Sequence, residues 1–209
     1  MTRWTIAGGY PLPPALQDTH RADRTVIHFG ADVGLCQCDA ETVTAWSSLL
    51  HAAGEAKLLL RATDTGSGMV DRLVARFGRE LAARIDLVPT ESAEEFYALV
   101  DVALAPRRGV SPRLAADAVA CGVPCVAKDG DGAPYAAFLR HLGLGRDLVV
   151  ADFRAYVGVA LKLAGSAEAR QRIGALARVA ASDARHGAAH FAKALEANTA
   201  RLLRERETA

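Results

Sequence analysis

The 209-residue sequence has no excess of either charge, with 25 Lys and Arg against 24 Asp and Glu. This balance supplies no global basic field, so general binding to nucleic acid or to an anionic membrane is not expected, and any phosphate binding has to be local. Cysteine is scarce. Cys36, Cys38, Cys121 and Cys125 are too few and too unevenly spread for a secreted disulfide framework and are read as reduced thiols. Their two pairs lack the spacing and turn chemistry of a four-thiolate zinc site, and no metal is expected. His186 and His190 stand four apart, but Gly187 and the lack of a nearby Glu argue for surface histidines. The opening residues, MTRWTIAGGYPLPPAL, contain no long apolar core. They resemble neither a secretory signal nor a membrane helix, and a cytoplasmic protein is expected. There is no internal repeat and no sustained heptad. No Ser–His–Asp or Cys–His arrangement declares a nucleophile, and no general base is assigned.

What is present is regular. A content of 51% hydrophobic and 23% charged residues is that of an ordinary globular chain. Residues 1–24, rich in Pro and Gly, read as a lead-in or linker remnant. From residue 25, apolar bursts recur at 25–29, 57–62, 84–89, 101–106, 124–128 and 147–150. Helical patterns separate them at 40–53, 67–82, 92–100, 112–122, 133–143 and 153–164, the first opened by Asp39 as N-cap with Glu41 in its first turn. This alternation predicts an α/β, doubly wound, Rossmann-like parallel sheet of about six strands. Two further helices, 166–181 and 187–205, close the chain. The expected organisation is a Rossmann-like lobe over 25–165, with 166–209 packing on it as C-terminal helices. The apolar face of the last helix is either cover for the sheet or a docking surface.

The run GVSPRLAADAVACGVP from Gly109 to Pro124 lies between two apolar bursts and reads as loop, helix and turn. Ser111 is placed as the helix N-cap and Pro112 in the first turn, so that unpaired N–H groups and the positive dipole end face the space beyond the preceding strand. Arg107, Arg108 and Arg113 surround this start. Guanidiniums present paired donors that match phosphate oxygens, so the loop is read as a phosphate cradle, with a solvated basic loop as the alternative. The TDTGSGM stretch at 63–69 lacks the Lys and Ser/Thr of a P-loop and reads as a connection ending with Ser67 as an N-cap. Gly30 and Gly34 flank the first strand-to-helix turn, with Asp32 and Asp39 as its carboxylates; plain turn geometry explains the glycines equally well.

In this order the chain resembles the C-terminal lobe of the protein O-glycosyltransferases of the SPINDLY and O-GlcNAc transferase kind, which have the two-lobed GT-B fold. The carriers are VIHFGADVGLCQCDAETVTAWSSLL (26–50) with its Trp46, RIDLVP, YALVDVALAP (97–106), GVPCVA (122–127), the turn at 142–149 and the two final helices. The resemblance implies a lobe that holds a nucleotide sugar, UDP-GlcNAc or in some members GDP-fucose, at a cleft with a second lobe. It also implies a protein acceptor and, in many members, upstream tetratricopeptide repeats.

The departures are specific. The family's phosphate-binding Lys falls on Gln37, its His-Thr-Thr run on Pro112, Arg113 and Leu114, and its base-contacting His on Ala93. The acidic residue that bonds the ribose is kept as Asp117. Charge-assisted hydrogen bonds contribute about 1.5–3 kcal/mol each, so several kcal/mol of phosphate binding is lost unless Arg107, Arg108 and Arg113 offset it. The ligand-binding candidates are therefore Gln37, Arg107, Arg108, Ser111, Arg113 and Asp117, with no catalytic residue assigned. The first reading is a nucleotide-sugar-binding lobe with a UDP-GlcNAc-like donor and a degenerate site. It is expected not to be competent alone, because the 24 lead-in residues are too few to build a second lobe. Two alternatives stand: a non-catalytic protein-binding or scaffold module derived from a glycosyltransferase, and another GT-B enzyme such as a nucleotide-sugar epimerase.

Overall fold

The computed structural model describes residues 25–33, 38–61, 68–107, 112–130, 134–183 and 187–207. Six strands form one parallel sheet: β1 (His28–Ala31), β2 (Lys57–Arg61), β3 (Ile85–Val88), β4 (Val102–Leu104), β5 (Cys125–Lys128) and β6 (Val149–Val150). Their spatial order is β3-β2-β1-β4-β5-β6, the Rossmann order, with the chain reversing direction across the sheet between β1 and β4. Phe29 lies opposite Leu58 on one side and Val102 on the other, and Ala103 opposite Cys125. The inner strands are buried almost throughout, which is why their sequences read as continuous apolar bursts instead of alternating ones.

The helices are α1 (Ala40–Ala52), α2 (Met69–Ala82), α3 (Ala93–Ala98), α4 (Arg113–Ala120), α5 (Pro134–His141), α6 (Gly145–Leu148), α7 (Phe153–Ala164), α8 (Ala167–Ser182) and α9 (Ala188–Glu207). Four begin with the side-chain caps their sequences offer. Asp39 accepts from Thr42 N at 2.9 Å, Ser92 from Glu95 N at 3.3 Å, Asp152 from Ala155 N at 2.8 Å and Ser166 from Ala169 N at 3.1 Å.

Of the boundaries that differ from the sequence pattern, four bear on the site or on helix starts. Strand β1 runs to Ala31 instead of ending at Phe29, because Gly30 and Ala31 pair with Leu59 and Leu60 of β2; position 30 suits glycine, since an added Cβ would meet Val100 Cγ2 at 2.2 Å. Strand β6 is only two residues, since Gly145–Leu148 coils into a helical turn before it. Helix α2 has Gly68, at φ 91°, in its N-cap position and is kinked at Gly78, at φ 78° and ψ 159°; the expected cap, Ser67, lies outside the described residues. Helix α4 starts at Arg113, with Pro112 in the N-cap position and no side-chain cap. Pro112 is therefore outside the first turn, and Ser111, expected as the cap, lies outside the described residues.

The core is one cluster in which Phe29, Trp46, Leu49, Leu58, Tyr97, Leu104 and Tyr156 are fully buried. Two polar contacts thread it. Trp46 Nε1 donates to the Tyr156 hydroxyl at 3.2 Å, which donates in turn to the Ala105 carbonyl at 3.0 Å, so α1 and α7 are both tied to the carboxyl end of β4. Tyr97 donates to the Leu114 carbonyl at 3.0 Å and ties α3 to the first turn of α4. Burial raises the pKa of both tyrosines well above the ordinary value, and they act as neutral hydroxyls.

Helix α8 reaches α4 through a near-contact of backbones: a Cβ on Gly174 would lie 2.5 Å from the Gly122 carbonyl oxygen. Only Ile173, Gly174 and Ala177 of α8 are buried, whereas Leu176 and Val179 are 46% and 70% exposed. In α9, Phe191, Ala194, Asn198 and Leu202 form a half-buried stripe at helical spacing, with Leu195 and Leu203 exposed. Among the described residues, no helix is long and apolar enough to cross a membrane, no group of three or more His, Cys, Asp or Glu could hold a metal ion, and Cys38, Cys121 and Cys125 form no disulfide. His186 and Cys36 lie outside the described residues.

Gly174→Ala is expected to cost about 1–3 kcal/mol through backbone overpacking. Gly158→Ala, in α7 where a Cβ meets nothing within 4 Å, should be neutral or should stabilise by about 0.5–1 kcal/mol. Thermal unfolding of the two variants side by side checks the contrast, and equal melting temperatures would remove Gly174 from the account of how α8 docks. Tyr156→Phe leaves a buried indole N–H and a buried carbonyl without their partner, at about 1–3 kcal/mol for each orphaned group. The expected result is a lower urea midpoint at unchanged slope; an unchanged midpoint would show that the hydroxyl carries no stability.

Candidate functional site

In an open parallel sheet the strands on either side of the reversal send their chains to opposite sides, leaving a crevice beyond their carboxyl ends. Here the crevice lies beyond β1 and β4. It is bordered by Asp32 after β1, Arg61 at the end of β2, Ala105 to Arg107 after β4, and the N-terminal turns of α1 and α4.

The α1 side is fastened to the β4 side by three contacts. Asp39 caps α1 through Thr42 N; the Thr42 hydroxyl, on a fully buried residue, accepts from Arg107 N at 3.1 Å; and Arg107 Nε donates to the second Asp39 oxygen at 2.7 Å. Glu41 lies 3.1 Å from the same Nε. Burial pushes the Asp39 pKa up, but the hydrogen bonds from Arg107 and Thr42 outweigh it and hold the carboxyl below its ordinary value. Arg107 is thus committed to the carboxylates of α1 and does not turn toward the start of α4.

On the α4 side, Arg113 Nε bonds Asp117 one turn along, at 3.3 Å. Asp117 is 12% exposed and Arg113 is 67% exposed. Burial raises the Asp117 pKa, with Arg113 and Arg61 opposing the rise. Deeper in the crevice, Arg61 Nε sits 2.9 Å from Asp32 Oδ1, and both side chains are largely buried, at 11% and 15% exposure. Neither Nε nor Nη1 of Arg61 reaches an acceptor in hydrogen-bond geometry among the described residues, so the pair is held by charge. Burial raises the Asp32 pKa as well, Arg61 lowers it and the charge of Asp117 raises it further. The two carboxylates therefore sense one another across the crevice.

Of the residues the sequence singled out, Arg107, Arg113 and Asp117 border this crevice on its two sides. Gln37, Arg108 and Ser111 lie outside the described residues. Ala93 is the first residue of α3. Sequence reasoning missed Arg61 and Thr42. A signal existed for Arg61: the run KLLLR puts a lone cation at the carboxyl end of a buried strand. Thr42 carried none, since a hydroxyl in the first turn of a helix is commonplace.

No protein-family model and no curated protein matches the sequence. Solved structures do match the fold. A mutant O-GlcNAc transferase of Thermobaculum terrenum superposes with a TM-score of 0.79 at 26% identity, over 95% of this chain and 40% of that one. The pneumococcal O-GlcNAc transferase GtfA, in complex with UDP and GlcNAc, gives a TM-score of 0.62 at 13% identity, over 92% of this chain and 38% of that one. WaaG, a glycosyltransferase involved in lipopolysaccharide biosynthesis, gives 0.61 at 15% identity, over 84% and 52%. The chain thus spans about two fifths of the length of the solved O-GlcNAc transferases and about half that of WaaG. Its α/β Rossmann-like sheet with flanking helices is that of a lobe of the GT-B glycosyltransferases.

Proposed function

We propose that this chain is a glycosyltransferase-like lobe that binds a nucleotide sugar in the crevice between β1 and β4, with the ribose on Asp117. The observation that carries the reading is the position of Asp117. It is a largely buried carboxylate on the first turns of α4, at the sheet reversal where doubly wound folds take their ligands. The likeness to O-GlcNAc transferases, one of them in complex with UDP and GlcNAc, supports a UDP-sugar as the ligand. A carboxylate accepts hydrogen bonds from two vicinal hydroxyls, the contact a ribose offers. Backbone N–H groups at the α4 start add a positive dipole end beside it.

Sugar transfer would need an acceptor site and proton-handling groups from elsewhere, whether a second lobe, a tetratricopeptide region or another chain, because the described crevice contains no assigned general base. A protein would be the acceptor. Neither nucleic acid nor a membrane is a proposed partner, and the proposed location is the cytoplasm. The proposed units are residues 25–165 as the nucleotide-sugar lobe and 166–209 as helices packed on it.

The second reading is a non-catalytic protein-binding module. It is favoured by the apolar side chains left exposed on the last two helices, Leu176 and Val179 on α8 and Leu195 and Leu203 on α9.

Calorimetric titration with UDP and UDP-GlcNAc is expected to give saturable binding that Asp117→Ala abolishes. Binding to the carboxylate form disappears as pH falls through the Asp117 pKa. Because burial raises that pKa, the loss should set in at higher pH than the ordinary carboxylate value of about 3.9. Absence of binding at millimolar nucleotide would overturn the first reading and leave the second.

A further inference from the structure

Strand β3 is an edge of the sheet. It pairs with β2, and among the described residues no strand lies on its other side. Leu58 stands opposite Ile85 in parallel register, and its N–H donates to the Arg84 carbonyl at 3.0 Å. In such a ladder alternate residues address the neighbouring strand, so Arg84, Asp86 and Val88 turn their backbone groups to β2 while Ile85 and Leu87 turn theirs outward. The N–H and C=O of Ile85 and Leu87 therefore form an open edge, which is a template for a further strand.

The side chains along this edge divide by face, Ile85 and Leu87 on one and Asp86 and Val88 on the other. Beside the first pair runs a groove of about 560 Å³ whose far wall is Val70, Leu73 and Val74 of α2. Val70 is 68% exposed. On the opposite face Asp86 is half exposed and pairs with Lys57 at 2.8 Å. A strand that fits this edge alternates, apolar toward α2 and polar toward Asp86.

The chain holds such a segment within reach. Residues 1–24 lie outside the described residues, and within them Arg3, Trp4, Thr5 and Ile6 alternate polar with apolar just ahead of Gly8 and Gly9. We propose that residues 3–6 add to β3 as an antiparallel edge strand, with Ile6 opposite Ile85 and Trp4 opposite Leu87. That register meets two conditions at once. Ile6 and Trp4 exchange both backbone hydrogen bonds with their partners, using the four groups that Ile85 and Leu87 hold out. Their side chains fall on the groove face, while Thr5 and Arg3 fall on the face that carries the Asp86 carboxylate. A slip of one residue would send Trp4 and Ile6 to the charged face. Chain length agrees with this placement. Antiparallel addition brings Ile6 to the end of the sheet where β1 begins, three strand positions or about 14 Å away, and the stretch from Ala7 to Ile27 reaches several times that distance when extended. An antiparallel edge strand on an otherwise parallel sheet is common in doubly wound folds. The lead-in is then docked on the lobe at its start and returns to β1 through its Pro-rich remainder.

The test is amide hydrogen exchange of the full chain, read by NMR at Ile85 and Leu87. Both amides are expected to exchange at least about tenfold more slowly than in the Ile6→Pro variant, which removes an N–H from the pairing edge. Thr5→Pro, at a position whose N–H faces away from β3, is expected to keep the protection within about threefold. The amides of Ala103 and Ala105, bonded to the Pro124 and Val126 carbonyls in the centre of the sheet, should not change in either variant, which shows that the lobe is folded. Equal exchange of Ile85 and Leu87 in the parent chain and in Ile6→Pro overturns the proposal. Loss of protection in both proline variants overturns it too, since pairing in this register spares Thr5. Protection that survives Ile6→Pro and rises with protein concentration assigns the edge to a second copy of the chain, and likewise overturns it.

Discussion

The buried relay from Trp46 through Tyr156 to the Ala105 carbonyl is the interaction on which the rest of the arrangement depends. A phenol can accept one hydrogen bond and donate another, and in a low-dielectric interior both are costly to leave unmade. One hydroxyl therefore holds two helices distant in sequence, α1 and α7, against the end of the same strand. Ala105 is two residues from Arg107, so the relay also sets where the β4 loop leaves the sheet. At the rim the Asp39, Thr42 and Arg107 contacts tie that loop back to α1. The two sides of the crevice are fastened at two depths, inside by neutral groups and at the surface by charged ones.

That fastening changes what the arginines mean. Arg107, Arg108 and Arg113 are close together in sequence and read as one positive patch around a helix start. In space Arg107 turns to the carboxylates at the start of α1, a helix more than sixty residues earlier in the chain, while Arg113 lies along α4 against Asp117. The helix dipole remains, because it belongs to the backbone, but the side-chain charge that would reinforce it is divided among acids the local sequence does not display. A crevice of this kind is organised in advance by its own ion pairs, and its electrostatic character comes from the network as a whole.

Much of the fold was legible because its causes are local or periodic. The run KLLLR reads as a buried strand whichever neighbours it finds, and Asp39 announces the start of α1 because its carboxylate reaches an N–H three residues on. The boundaries that moved did so for reasons outside the local pattern. Gly30 and Ala31 are weak strand formers that belong to β1 because they pair with Leu59 and Leu60 of β2. Helix α2 bends at Gly78 within an otherwise amphipathic run. In the crevice, Arg107 and Arg113 could be singled out from a helix start beside a strand, and Asp117 only through the family resemblance. Arg61 carried a signal only in its place at the end of a buried strand, its partner lying 29 residues earlier, and Thr42, whose partner lies 65 residues later, carried none.

The sequence by itself determined the class of fold: alternating apolar bursts and capped amphipathic segments admit a parallel sheet covered by helices, which opens wherever its strand order reverses. Tertiary structure alone decided which charges meet there. Ion pairing depends on distances across the sheet, between the end of β2 and the turn after β1, and between the loop after β4 and the start of α1. Those distances are set by strand order and by the buried relay, neither of which is written in the residues on either side of any one charge.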